Sequence, residues 1–145
     1  SNYEHLKGME STIGTWVDAD ESGAIIQSSC MWSENRNFII RNFSTTLDGE
    51  VLISGTQWLG WDAVKKEIRS WLFDSKGSIG EGTWVQDGNK WTIQAETKLM
   101  NGKVVKETHI ITQVDADTIQ WESKNRTLDG EPLPDAKEVT VRRQK

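Results

Sequence analysis

The sequence predicts an all-β fold: a ten-stranded, up-and-down antiparallel barrel preceded by a short N-terminal helical turn. Three observations lead there. Turn signals recur roughly every 13 residues, the spacing of short strands joined by tight connections. They fall at Ser22-Gly23, Glu34-Asn35, Asp48-Gly49, Val64-Lys65, Lys76-Gly77, Asp87-Gly88, Asn101-Gly102, Ala116-Asp117 and Asp129-Gly130. Asp-Gly and Asn-Gly carry the most weight, because a type I′ hairpin turn needs positive φ at both central residues. Between the turns lie runs rich in Val, Ile, Thr, Phe and Trp, the residues that suit a pleated, half-buried surface. Antiparallel strands joined in this way leave no exposed edge only if the sheet closes on itself.

Taken in order, residues 3–9 form one helical turn that carries Leu6 and Met9 inward. Strands are predicted over 14–20, 24–32, 38–46, 51–62, 67–74, 79–86, 90–99, 104–114, 118–126 and 138–144. The gap around Asp20 to Gly23 is too short for a helical lid between the first two strands. Pro132 and Pro134 follow the last Asp-Gly, in the only long connection, where a missing amide donor does no harm. Thr46-Leu47-Asp48-Gly49-Glu50 recurs as Thr127-Leu128-Asp129-Gly130-Glu131, two copies of one hairpin loop.

Alternation assigns the faces. Ala24, Ile26, Ser28, Cys30 and Trp32 share a side of the second strand. Ile39, Arg41 and Phe43 share one on the third, and Val51, Ile53, Gln57, Leu59 and Trp61 one on the fourth. The fifth sets Arg69, Trp71 and Phe73 against Ile68, Ser70 and Leu72. The seventh alternates cleanly, with Trp91, Ile93 and Ala95 together. On the eighth, His109 sides with Val105, Glu107 and Ile111, and the ninth groups Ile119, Trp121 and Ser123. Several of these faces mix apolar bulk with Arg, Gln and Ser. A barrel that encloses a small ligand tolerates such a mixture, whereas a solid core does not.

Composition narrows the function. At 145 residues the chain is one domain, 1–145. Its start, Ser1-Asn2-Tyr3-Glu4-His5, lacks a charged or apolar leader. A domain taken from a longer protein, secreted or periplasmic, fits that start equally. No apolar run approaches the length of a membrane-spanning helix. The net charge of −5 comes from interspersed acids and bases, so no basic stripe exists to follow a nucleic acid. The single Cys30 makes no internal disulfide and reads as an inert core thiol.

Gly14-Thr15-Trp16 opens the first strand and Arg142-Arg143 closes the last. That pairing resembles the calycins, the lipocalins and fatty-acid-binding proteins, and the resemblance implies that Trp16 packs against Arg143 at one end of the barrel. A longer string is more specific. Gly60-Trp61-Asp62, Lys65-Lys66, Ile68-Arg69-Ser70-Trp71, Phe73-Asp74-Ser75, Gly77 and Glu81-Gly82-Thr83-Trp84 resemble an uncharacterised bacterial lipocalin-like domain. Such a domain often follows a polyketide-cyclase-like (SnoaL-type) domain and a secretion signal. The resemblance implies a fold and no established activity.

The candidate site is a ligand site inside the barrel for a small apolar or anionic molecule. Most of the eight Trp residues read as interior fillers and strand pins. Trp61, Trp71 and Trp84, on consecutive strands, are the candidates for a ligand platform. Arg41 and Arg69 are expected to point inward and form an anion site, with Gln57 and Glu81 beside them. An isolated charge inside an apolar barrel is costly, so each arginine needs a partner. Glu81 and Glu107 are the internal partners available; a ligand carboxylate or phosphate is the alternative. The resemblance to fatty-acid-binding proteins, which hold a carboxylate with interior arginines, points to the ligand.

A rival reading is a small isomerase or cyclase with Glu81 or Asp74 as acid–base and Arg41 or Arg69 as electrostatic stabiliser. A third is a structural domain with a filled interior. No cofactor or metal site is predicted: two His, one Cys and no close ligand spacing argue against zinc. Asp115 and Asp117 read as turn residues. Haem through His109, by analogy with the nitrobindins, is a minor expectation, since His109 reads better as a surface or hydrogen-bonded side chain.

Overall fold

The computed structural model describes residues 1–19 and 23–145. Asp20 and Ser22, which end the first predicted strand and begin the first predicted turn, lie outside the described residues, as does most of the predicted lidless gap. A short helix, α1 (Tyr3–Leu6), runs into a 3-10 turn at Lys7–Thr12. The strands follow as β1 (Gly14–Ala19), β2 (Ile25–Trp32), β3 (Phe38–Leu47), β4 (Glu50–Asp62), β5 (Glu67–Asp74) and β6 (Ile79–Asp87). Then come β7 (Lys90–Lys98), β8 (Val104–Asp115), β9 (Thr118–Leu128), the two-residue β10 (Glu131–Pro132) and β11 (Ala136–Arg143).

Each strand from β1 to β9 pairs antiparallel with the next, and β11 lies between β9 and β1. Ten strands therefore close into a barrel. The turns have the predicted chemistry: φ is +52° and +80° at Asp48-Gly49, and +49° and +84° at Asp129-Gly130. The long connection near the end is more ordered than a loop. Glu131–Pro132 doubles back on the end of β9, and the last strand begins at Ala136.

One end of the barrel is plugged by the N-terminal segment. Leu6 and Met9 are buried beneath it with Trp16, Ile39, Leu59, Trp84 and Trp91. The imidazole of His5 stacks flat on Trp61, with ring centres 4.0 Å apart. Burial of these large side chains supplies the main driving force, about 1.5–3 kcal/mol each.

The fifth strand faces the other way from the expectation. Leu59 is paired with Ser70, Gln57 with Leu72 and Ile68 with Trp84, so Ile68, Ser70 and Leu72 face inward. Arg69, Trp71 and Phe73 face out. Volume explains the choice. The buried Trp84 and Trp91 already meet edge to face inside the barrel at 6.2 Å. A small Ser70 opposite them leaves room, and it accepts the Trp84 indole N–H at 2.8 Å.

Candidate functional site

The interior is not packed solid. A cavity of about 270 Å³ runs from a floor at Met9, Thr12 and Trp16, past Arg41 and Gln57, to Ile26, Thr45 and Val139. Its wall is overwhelmingly apolar.

Arg41 is the charge in that wall. Inward alternation on β3 sets it between Ile39 and Phe43, and its cross-strand neighbours are Cys30 on β2 and Gln57 on β4. The buried Gln57 accepts its Nε–H at 2.9 Å, which fixes the plane of the guanidinium. Phe43 and Trp121 lie against that group at 4.7 and 5.7 Å from their ring centres. Among the described residues no carboxylate comes within ion-pair reach of Arg41. Burial pulls its pKa below the ordinary arginine value, the sign of a cation taken from water without full compensation. Burial also pushes the thiol of Cys30 up, against a smaller lowering pull from Arg41, so the thiol stays protonated.

A second polar group lines β8 and β9 close by. Arg126 Nε donates to Glu107 Oε1 at 3.0 Å, and the other Glu107 oxygen meets His109 Nε2 at 3.0 Å. His109 Nδ1 lies 2.7 Å from the Ser123 hydroxyl. The imidazole also packs on Trp121, with ring centres 5.3 Å apart, so one indole separates this chain of contacts from Arg41. Glu107 is held below the usual carboxylate range by its contact with His109 and then by that with Arg126, against the opposing effect of burial. Both ring nitrogens of His109 are thus engaged by protein groups.

The other sequence candidates divide between the cavity and the outside. Trp84 forms part of the cavity wall. Trp61 packs at the plugged end under His5. Three are corrected. Arg69 lies on the outer face beside Asp62, Glu67 and Glu81, at 3.8, 4.0 and 3.5 Å. Trp71 is its outward neighbour, and Glu81 is exposed opposite Trp71. The expected interior pair Arg41 and Arg69 is thus a single interior arginine. Nor is Glu81 a cavity acid, and Asp74 spends its carboxylate on the backbone N–H groups of Lys76 and Ser78. The acid–base pair of the isomerase reading therefore does not line the cavity.

At the plugged end, Arg143 reaches under Trp16, with its guanidinium carbon 4.4 Å from the ring centre. Asp117 pairs with Arg143 and Lys145, and Asp115 accepts the Asp117 N–H, so both acids serve the turn. Among the described residues no three His, Cys, Asp or Glu side chains converge as a metal ion requires. Among them, too, no helix is long and apolar enough to cross a membrane. Sequence reasoning placed Phe43 beside Arg41 but missed Trp121 as the second aromatic wall of the site. Alternation placed Trp121 on an inner face, but nothing in a linear pattern brings it across the lumen to a residue on β3.

Residues 8–143 match the family described as "Protein of unknown function (DUF1579)", and the chain belongs to it. No curated protein matches the chain.

Proposed function

We propose that this lipocalin-like barrel binds a small, partly apolar anion, a carboxylate or phosphate, with Arg41 as its counter-charge. One observation carries the reading: a guanidinium lodged in an apolar cavity, fixed through Nε by Gln57, without a carboxylate partner among the described residues. Leaving such a charge uncompensated costs several kcal/mol, and a ligand anion gripped by the remaining N–H groups recovers much of that. The cavity is at the lower end of ligand-site volumes, so the ligand is small. Such binding is also compatible with a role as an accessory domain of a larger protein.

Displacement of anilinonaphthalene sulfonate, read by its fluorescence, tests the proposal. Octanoate should displace the dye, octanol should do so at least tenfold less well, and Arg41→Met should remove the difference. Equal displacement by acid and alcohol, or an unchanged preference in Arg41→Met, would reject it.

A further inference from the structure

We infer that Ser123 is an activated hydroxyl nucleophile for acyl transfer from small carboxylic esters, with His109 as its base and Glu107 orienting the imidazole. The inference stands on the β8–β9 wall and is independent of the Arg41 reading. Nucleophilic serines are recognised by geometry: a hydroxyl in hydrogen-bond reach of a base that is itself oriented by a third group. All three elements are here, at 2.7 Å from Ser123 Oγ to His109 Nδ1 and 3.0 Å from His109 Nε2 to Glu107 Oε2. Arg126 secures the carboxylate from its far side at 3.0 Å and also donates to the carbonyl of Pro134 at 3.1 Å. In the tautomer whose Nε2–H is donated to the Glu107 carboxylate, the ring presents its lone pair at Nδ1 to the serine. This is the mirror assignment of the ring nitrogens relative to the familiar serine triad, and the proton path is equivalent.

The surroundings agree. Ser123 shares the inward face of β9 with Ile119 and Trp121, both of which line the cavity. The ladders on both sides of this stretch are irregular. Register shifts between Ala136 and Val139 on β11, and between Lys106 and Thr108 on β8, while Asn125 has φ +50°. Bulges of this kind re-aim side chains and gather beside reactive sites. Ser123 is 7% exposed and is not itself part of the cavity wall, which restricts acylation to small acyl groups.

In the reaction Ser123 Oγ attacks the ester carbonyl while its proton passes to His109 Nδ1. Collapse of the adduct breaks the bond to the leaving alcohol, which takes that proton. Water then attacks the acyl-serine, again giving a proton to Nδ1, and that proton returns to Ser123 as the acid departs.

Two measurements decide the matter. A fluorophosphonate probe should label the folded protein, with the adduct mapped to Ser123 by peptide mass spectrometry. p-Nitrophenyl acetate should turn over with losses of roughly 100-fold or more in Ser123→Ala and His109→Gln, the usual contribution of such a base. Labelling confined to other residues, or turnover unchanged in both variants, would overturn the assignment. Should either variant fail to fold, the labelling map of the unaltered protein decides alone.

Discussion

The guanidinium of Arg143 lies 4.4 Å from the centre of the Trp16 ring while donating to the carbonyls of Ile13, at 2.6 Å, and Ser11, at 2.8 Å. It also reaches the carbonyl of Ala116 at 3.0 Å and the carboxylate of Asp117 at 3.2 Å. One side chain therefore ties the end of β11 to the entry of β1 and to the β8–β9 turn. Trp16 is anchored in turn by its indole N–H on the Thr12 carbonyl at 2.9 Å. Gly14 has φ +129° and its missing Cβ would meet Arg143 Nη1, so only glycine lets the arginine pass.

Closure makes the first prediction. A desolvated cation–π contact is worth about 2 kcal/mol, and Arg143→Ala should cost more than that because three carbonyls also lose their donor. In a double-mutant cycle with Trp16→Ala, urea denaturation should show a coupling of about 1–2 kcal/mol. Additive losses would mean that the ring contact contributes nothing.

Arg41 makes a prediction of the opposite sign. Its folded pKa is lowered, so the charged form opposes folding throughout the range in which the unfolded arginine is charged. Replacing both polar partners, as Arg41→Met with Gln57→Leu, should raise the stability of the ligand-free protein by about 1–4 kcal/mol. Arg41→Met alone should gain less, because it leaves a buried amide oxygen unsatisfied at a cost of about 1–3 kcal/mol. Denaturation midpoints would expose the error if the double variant were the least stable of the three.

Arg69 provides the control. Its partners are on the outer face, and ion pairs of that kind contribute about 0–1 kcal/mol. Arg69→Met should leave both the dye affinity and the acid-over-alcohol preference unchanged. A preference lost in Arg69→Met would put that arginine back at the ligand.

Glu107 ties stability to acidity. Its folded pKa lies below the unfolded value, so its contribution is complete above the unfolded pKa, near 4, and disappears as pH falls through the depressed one. Glu107→Gln should be less stable than the unaltered protein at neutral pH, with the difference shrinking as pH falls below the unfolded carboxylate pKa of about 4. Parallel stability curves across that window would show that the carboxylate is not held by His109 and Arg126 as described.

Much of the fold was legible because it is local. Asp48-Gly49 and Asp129-Gly130 select their turn by backbone sterics alone, and strand length follows from the spacing of such pairs. Ile39, Arg41 and Phe43 were assigned together by alternation on β3, and Gln57 with Leu59 on β4. The two-residue β10 was missed because Pro132 reads as a break, and it sits where a strand end needs no donor.

By itself, the sequence determined how many strands form the barrel wall, where they turn and which side chains share a face. It did not determine which face of β5 looks inward. Trp71 and Phe73 are the bulkier set, yet the space was already taken by Trp84 and Trp91, and only closure of the barrel sets that volume. Closure likewise brought Trp121 of β9 across the lumen to Arg41 of β3, and lined up Arg126, Glu107, His109 and Ser123. Alternation is a property of one strand. Contact across a lumen depends on the stagger and radius of all ten, which no single segment encodes.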